Sequence, residues 1–132
     1  MNPKTAYLEN QINSATPAGL IVLLYEGLIN FATTAAEELA SENPDAARNA
    51  ADAVDRCIRI ITELNNSLNH SQAQELSERL SNLYAFFIEE LSRALNEHSD
   101  KIILDILPLM KELLDGWKQA EQIVSLEQQA SA

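Results

Sequence analysis

Residues 16–25 read Thr-Pro-Ala-Gly-Leu-Ile-Val-Leu-Leu-Tyr, TPAGLIVLLY. Thr16 is an N-cap residue type. Pro17 suits the first helical position, because the N–H it lacks is one that a helix start leaves unpaired anyway. A helix therefore opens here, and from Leu20 to Tyr25 it carries six apolar residues in succession. A surface helix keeps one face polar. This one is apolar all round over nearly two turns, so it must be covered on more than one side.

The chain of 132 residues is long enough for one domain with one core. With 3 Gly and 4 Pro it has little turn material, and it is rich in Ala, Leu, Glu and Gln, which favour long helices. The net charge of -11 argues against contacts with nucleic acid or with an anionic membrane surface; its plain role is solubility. A lone Cys57 cannot close an internal disulfide, which fits a reducing compartment. The start, MNPKTAYLENQ, lacks a signal peptide's apolar centre. The LIVLLY run is far shorter than the roughly 20 residues that span a bilayer. These features together predict a cytoplasmic protein without membrane insertion.

Punctuation divides the rest. Asn43-Pro44 repeats the cap-and-proline arrangement, Ser71 and Gln74 have capping-box spacing, and Ser99-Asp100 places a cap and a negative charge at a helix start. Helices are predicted at about 17–40, 44–68, 72–96 and 100–124. Steps of three and four residues mark the inward face of each. These faces are Leu20, Leu24, Leu28, Phe31, Ala35, Leu39 in the first and Ala47, Ala50, Val54, Ile58, Ile61, Leu64, Leu68 in the second. They are Leu76, Leu80, Leu83, Phe87, Leu91, Leu95 in the third and Ile103, Ile106, Met110, Leu113, Trp117, Ala120 in the fourth. Short connections make neighbours antiparallel. The expected architecture is all-α: an antiparallel up-down four-helix bundle over 16–124, an N-terminal arm over 1–15 and a flexible polar tail over 125–132. Pro108 either kinks the fourth helix or divides it in two. Gly27 inside the first helix is expected at a close helix crossing.

Catalytic signatures are missing. A di-iron bundle needs Glu-x-x-His, but Ser67 and Leu95 stand three residues before His70 and His98. Both histidines are expected near helix C-termini, and Cys57 reads as a small buried hydrophobe. No P-loop, dinucleotide loop or nucleophile elbow occurs. Glu37-Glu38 and Glu89-Glu90 read as solvated faces rather than paired catalytic carboxylates. Neither an enzyme nor a cofactor or metal site is expected.

The apolar residues exceed what four inward stripes need. Ile21, Tyr25, Ile29 and Ala32 form a second line on the first helix. Tyr84, Phe86 and Ile88 widen the third, and Ile102, Leu107, Leu109 and Leu114 widen the fourth. Each is either core or the wall of a groove between helices, where an amphipathic partner helix would lie. The arm adds Tyr7, Leu8 and Ile12, either a loose segment or a lid over an apolar pocket.

Tyr7, Ile12, Asn13-Ser14-Ala15-Thr16-Pro17, Leu20 and Leu23-Leu24-Tyr25-Glu26-Gly27 together resemble the signature of the FliS family, the flagellin-specific export chaperones. Ile61-Thr62-Glu63-Leu64-Asn65-Asn66-Ser67-Leu68, Leu83-Tyr84 and Trp117-Lys118 are similar to later landmarks of that family, and the resemblance spans about residues 7–120. Ala85-Phe86-Phe87 departs from the more polar run of many relatives. The resemblance implies a cytoplasmic chaperone that holds the disordered C-terminal segment of flagellin in apolar grooves, prevents premature polymerisation and delivers it to the flagellar export gate. Some relatives also bind an anti-sigma factor or a flagellin-binding regulator. Candidate groove residues are then Leu20, Leu24, Tyr25, Leu28, Leu64, Leu68, Tyr84 and Trp117, with Tyr7, Leu8 and Ile12 as lid. The alternatives are a helical adaptor with a non-secreted partner and, more remotely, a carboxylate-rich metalloprotein.

Overall fold

The computed structural model describes residues 17–68 and 73–130, all within or between four α-helices. They are α1 (Pro17–Ala40), α2 (Ala46–Leu68), α3 (Gln74–Glu97) and α4 (Asp100–Ala130). α1 packs extensively on both α2 and α4, while α3 closes the ring against α2 and α4 through smaller interfaces. This is the expected all-α bundle.

Small side chains explain the close α1 contacts. Ala32, Ala35 and Ala36 of α1 are buried with Ala50 and Ala53 of α2. Gly27 sits at the same crossing: a Cβ added there would lie 3.3 Å from Ile60 Cδ1, tighter than an ordinary contact. Larger residues fill the centre, with Tyr25, Leu28, Ile61, Leu64, Phe87, Leu91, Ile103 and Met110 essentially inaccessible. By length and composition alone the 24-residue α1 is apolar enough to cross a membrane, although the LIVLLY run by itself is too short. In the bundle one side of that apolar surface lies against α2 and α4.

Helix ends show where local chemistry overrode the expected boundaries. Asn43 caps the turn that leads into the second helix, as expected, but the regular helix begins two residues after Pro44. Its Oδ1 accepts from the Asp45 N–H at 2.9 Å, forming a local turn, and α2 starts at Ala46. α3 is preceded by Ala73, which makes no side-chain cap bond, so the capping box is not what starts it; Ser71 lies outside the described residues. At the other end, His98 adopts a left-handed backbone with φ 50°. Its N–H bonds Leu95 O at 3.3 Å and the Ser99 N–H bonds Ala94 O at 2.9 Å, a Schellman cap. His98 thus ends α3 through its backbone; His70 lies outside the described residues.

α4 continues through Pro108 without ending. Pro108 and Leu104 are both exposed, so the missing bond to the Leu104 carbonyl falls on the wet side of the helix. α4 also runs past the expected end near 124, and residues 125–130 are helical rather than a loose tail. Gln122, Glu127 and Gln129 are good helix formers, and no Gly or Pro follows Gly116 to stop the helix.

The surface is held only lightly by charge. Arg93 bridges Glu90 and Glu97 at 2.6 and 2.9 Å, and Arg59–Asp55 and Arg79–Glu75 are exposed pairs one helical turn apart. Water and salt screen such exposed pairs, so they add little to stability.

Cys57 is fully buried, and burial pushes its thiol up to about 12. This value exceeds the ordinary 9.0 of an exposed thiol, so the folded state holds the proton more tightly. The stability this lends is complete below about pH 9 and is lost as pH rises towards 12. A thiol reagent at pH 8 is therefore expected to leave the folded chain unmodified and to label Cys57 stoichiometrically once denaturant unfolds it. Rapid labelling of the native protein would contradict this burial.

Candidate functional site: an apolar cleft at one end of the bundle

The greasy start of α1 is covered on one side by the core and left open on another. Val22, Tyr25 and Leu28 point inward and are buried. Pro17, Leu20, Ile21 and Leu24 instead form one wall of a cleft of about 550 Å³. Glu63, Ser67 and Leu68 at the end of α2 contribute, as do Leu76, Ser77 and Leu80 at the start of α3 and Trp117 of α4. This volume lies in the range of ligand-binding clefts. Leu76, 52% exposed, stands at its edge. Leu24, Leu68 and Trp117 pack against the core from the cleft side, whereas Leu20 is not part of that packing.

Behind the cleft lies an aromatic relay. The Trp117 ring centre is 6.4 Å from Tyr25, and that of Tyr25 is 6.5 Å from Tyr84. The hydroxyls of Tyr25 and Tyr84 meet at 2.6 Å, pinning α1 to α3 across the core. Desolvation raises the pKa of both tyrosines, and for Tyr84 the Tyr25 side chain raises it further. Both hydroxyls therefore stay protonated at neutral pH. The relay fixes the Trp117 wall of the cleft and offers no free base.

Of the candidate groove residues, the structure brings Leu20, Leu24, Leu68 and Trp117 together on the cleft. Tyr25, Leu28, Leu64 and Tyr84 are buried in the core. For Leu28 and Leu64 the reason is the dense α1–α2 crossing; for the tyrosines it is their mutual hydrogen bond, which requires both to turn inward. The lid candidates Tyr7, Leu8 and Ile12 lie outside the described residues. Leu76, read from its spacing as core, is instead an exposed cleft residue, whereas Leu80 is buried in the core as expected and also lines the cleft floor. Leu76 stands in the first turn of α3, and that position was the available signal. A second, smaller depression of about 170 Å³ lies between α2 and α3, lined by Ile61, Thr62, Asn65, Ser81, Tyr84, Ala85 and Ile88. Among the described residues no three His, Cys, Asp or Glu side chains gather as a metal site.

The fold is a four-helix bundle with an apolar cleft at one end. The chain belongs to the FliS family of flagellar proteins: the family model described as "Flagellar protein FliS" matches residues 1–124. The flagellar secretion chaperone FliS of Bacillus subtilis is 34% identical over 121 residues, covering 92% of this chain and 87% of that protein. Its namesake in Campylobacter jejuni is 33% identical over 114 residues, covering 86% and 87%. That of Salmonella typhimurium is 26% identical over 122 residues, covering 92% and 88%. The family is one of chaperones of flagellum biogenesis, not of enzymes.

Proposed function

We propose that this protein acts in the cytoplasm on flagellin, holding its C-terminal segment until the flagellar export gate takes it over. The carrying observation is the 550 Å³ cleft, walled by Leu20, Leu24, Leu68, Leu76 and Trp117 at the open end of the bundle. An amphipathic helix of the client lays its apolar face there, and the entropy it loses on ordering is offset by the area it buries. The bound segment is then unable to polymerise. The fully buried, reduced Cys57 is compatible with a cytoplasmic site of action.

The N-terminal arm completes the cycle. In this reading its apolar residues Tyr7, Leu8 and Ile12 serve as a lid that the client displaces. Covering two such side chains yields about 1.5–3 kcal/mol each, against a comparable ordering cost, which suits a segment that must move.

Calorimetry with the C-terminal segment of the cognate flagellin tests both parts. The expected result is one-to-one binding with a clearly negative heat-capacity change and only modest weakening by salt. A chain lacking residues 2–12 is expected to bind at least as tightly. Absence of binding at micromolar concentration would sink the reading in favour of an adaptor with another partner. Steep salt dependence would rule out apolar burial as the driving force. Collapse of affinity in the truncated chain would make the arm a client contact rather than a lid.

A further inference from the structure

Among the described residues, two buried side-chain polar atoms have no hydrogen-bond partner: Asn65 Oδ1 and Ser77 Oγ. Buried polar groups are normally paired, and each exception calls for a reason. Both exceptions are on residues that line depressions, Ser77 in the large cleft and Asn65 in the smaller one between α2 and α3. The two depressions run along the same pair of helices. Ser67 and Leu68 of the large cleft follow Asn65 by no more than one helical turn, and Ser77 precedes Ser81 by one turn. Neighbouring hydroxyls behave differently: Thr62 Oγ1 returns to Ile58 O at 2.8 Å and Ser67 Oγ to Leu64 O at 2.7 Å. Asn65 and Ser77 therefore differ from the neighbouring hydroxyls of Thr62 and Ser67, which find main-chain partners.

We infer that Asn65 and Ser77 are the hydrogen-bond contacts by which the bundle reads its client, giving an otherwise apolar interface its register and selectivity. The inference rests on the flagellin reading above. An oxygen acceptor at Asn65 requires an N–H or O–H donor on the client. Within a helix the main-chain N–H groups are already used except in the first turn. The donor is therefore a client side chain on the buried face or the free N–H of a client helix start. The χ2 torsion of Asn is soft, so the amide can swing from its resting place to meet that donor. In the free protein the unpaired groups are a standing cost, relieved only when the right client is seated. Purely apolar helices would lack this relief.

The sign of the effect distinguishes this role from a structural one. The variants are Asn65→Leu and Ser77→Ala, measured by thermal unfolding and by calorimetry against the C-terminal flagellin segment. Both are expected to unfold at the same temperature as the parent or higher, because an unpaired buried group has been removed. Both are expected to bind the segment about tenfold more weakly, as loss of one hydrogen bond predicts. Asn65→Asp, which keeps an acceptor in the same place, is expected to recover affinity relative to Asn65→Leu. If the parent binds and both variants bind equally well, the inference falls and the chaperone reading stands. If stability and affinity fall together, the residues are structural and the inference falls. If the parent itself does not bind, both readings fall.

Discussion

Replacing Phe87 by Ala is expected to lower the free energy of unfolding by about 3–5 kcal/mol, measured by denaturant melts. Phe87 is fully buried, in the same core as Tyr84, Leu91 and Met110, so truncating it leaves a cavity there. A domain of this size has roughly 5–15 kcal/mol in all, so the variant is expected to be at the margin of folding. The neighbour makes the internal control. Phe86 is 42% exposed and its ring centre lies 6.2 Å from that of Phe87. Truncating it is expected to cost less than about 1 kcal/mol. Equal costs at the two positions would mean that α3 presents a different face to the core.

Replacing Leu20 by Glu is expected to weaken binding of the flagellin segment by about a hundredfold, ~2.7 kcal/mol, while leaving the melting midpoint almost unchanged. Leu20 lines the cleft without packing on the core, so the free chain is expected to tolerate a carboxylate that still reaches solvent. A client helix seated there would have to desolvate that charge with no cation to receive it. The same change at Leu28, fully buried, is expected instead to unfold the bundle. Unchanged affinity in the Leu20 variant would move the client off this cleft.

Helix number, order and most boundaries were legible because caps, prolines and three-four spacing are local properties. The phase of α1 was not. Where six apolar residues follow one another, periodicity carries no phase, and either Leu20-Leu24 or Tyr25-Ala32 could face inward. The structure resolves this through a contact far away in sequence, the Tyr25–Tyr84 hydroxyl pair. The same non-local contact turns both tyrosines inward, while Leu20 and Leu24 line the large cleft and Tyr84 still borders the smaller one. In α3 the reverse error arises: Leu76 continues the stripe of Leu80, Phe87 and Leu91, but spacing does not reveal that the bundle opens at that level. Pro108 was ambiguous because its effect depends on whether the orphaned carbonyl faces solvent, a property of packing rather than of sequence.

The unequal interfaces around α3 carry a kinetic consequence. α1 is gripped from two sides, whereas α3 leans on α2 and α4 through narrower contacts. Protection against amide exchange should follow that order, with α1 opening only on global unfolding and α3 in a cheaper, sub-global event. Both depressions have α3 as a wall, so each such excursion transiently widens them. Client capture would then be limited by how often one helix breathes, and occupancy by the client would slow exchange along α3 more than along α1.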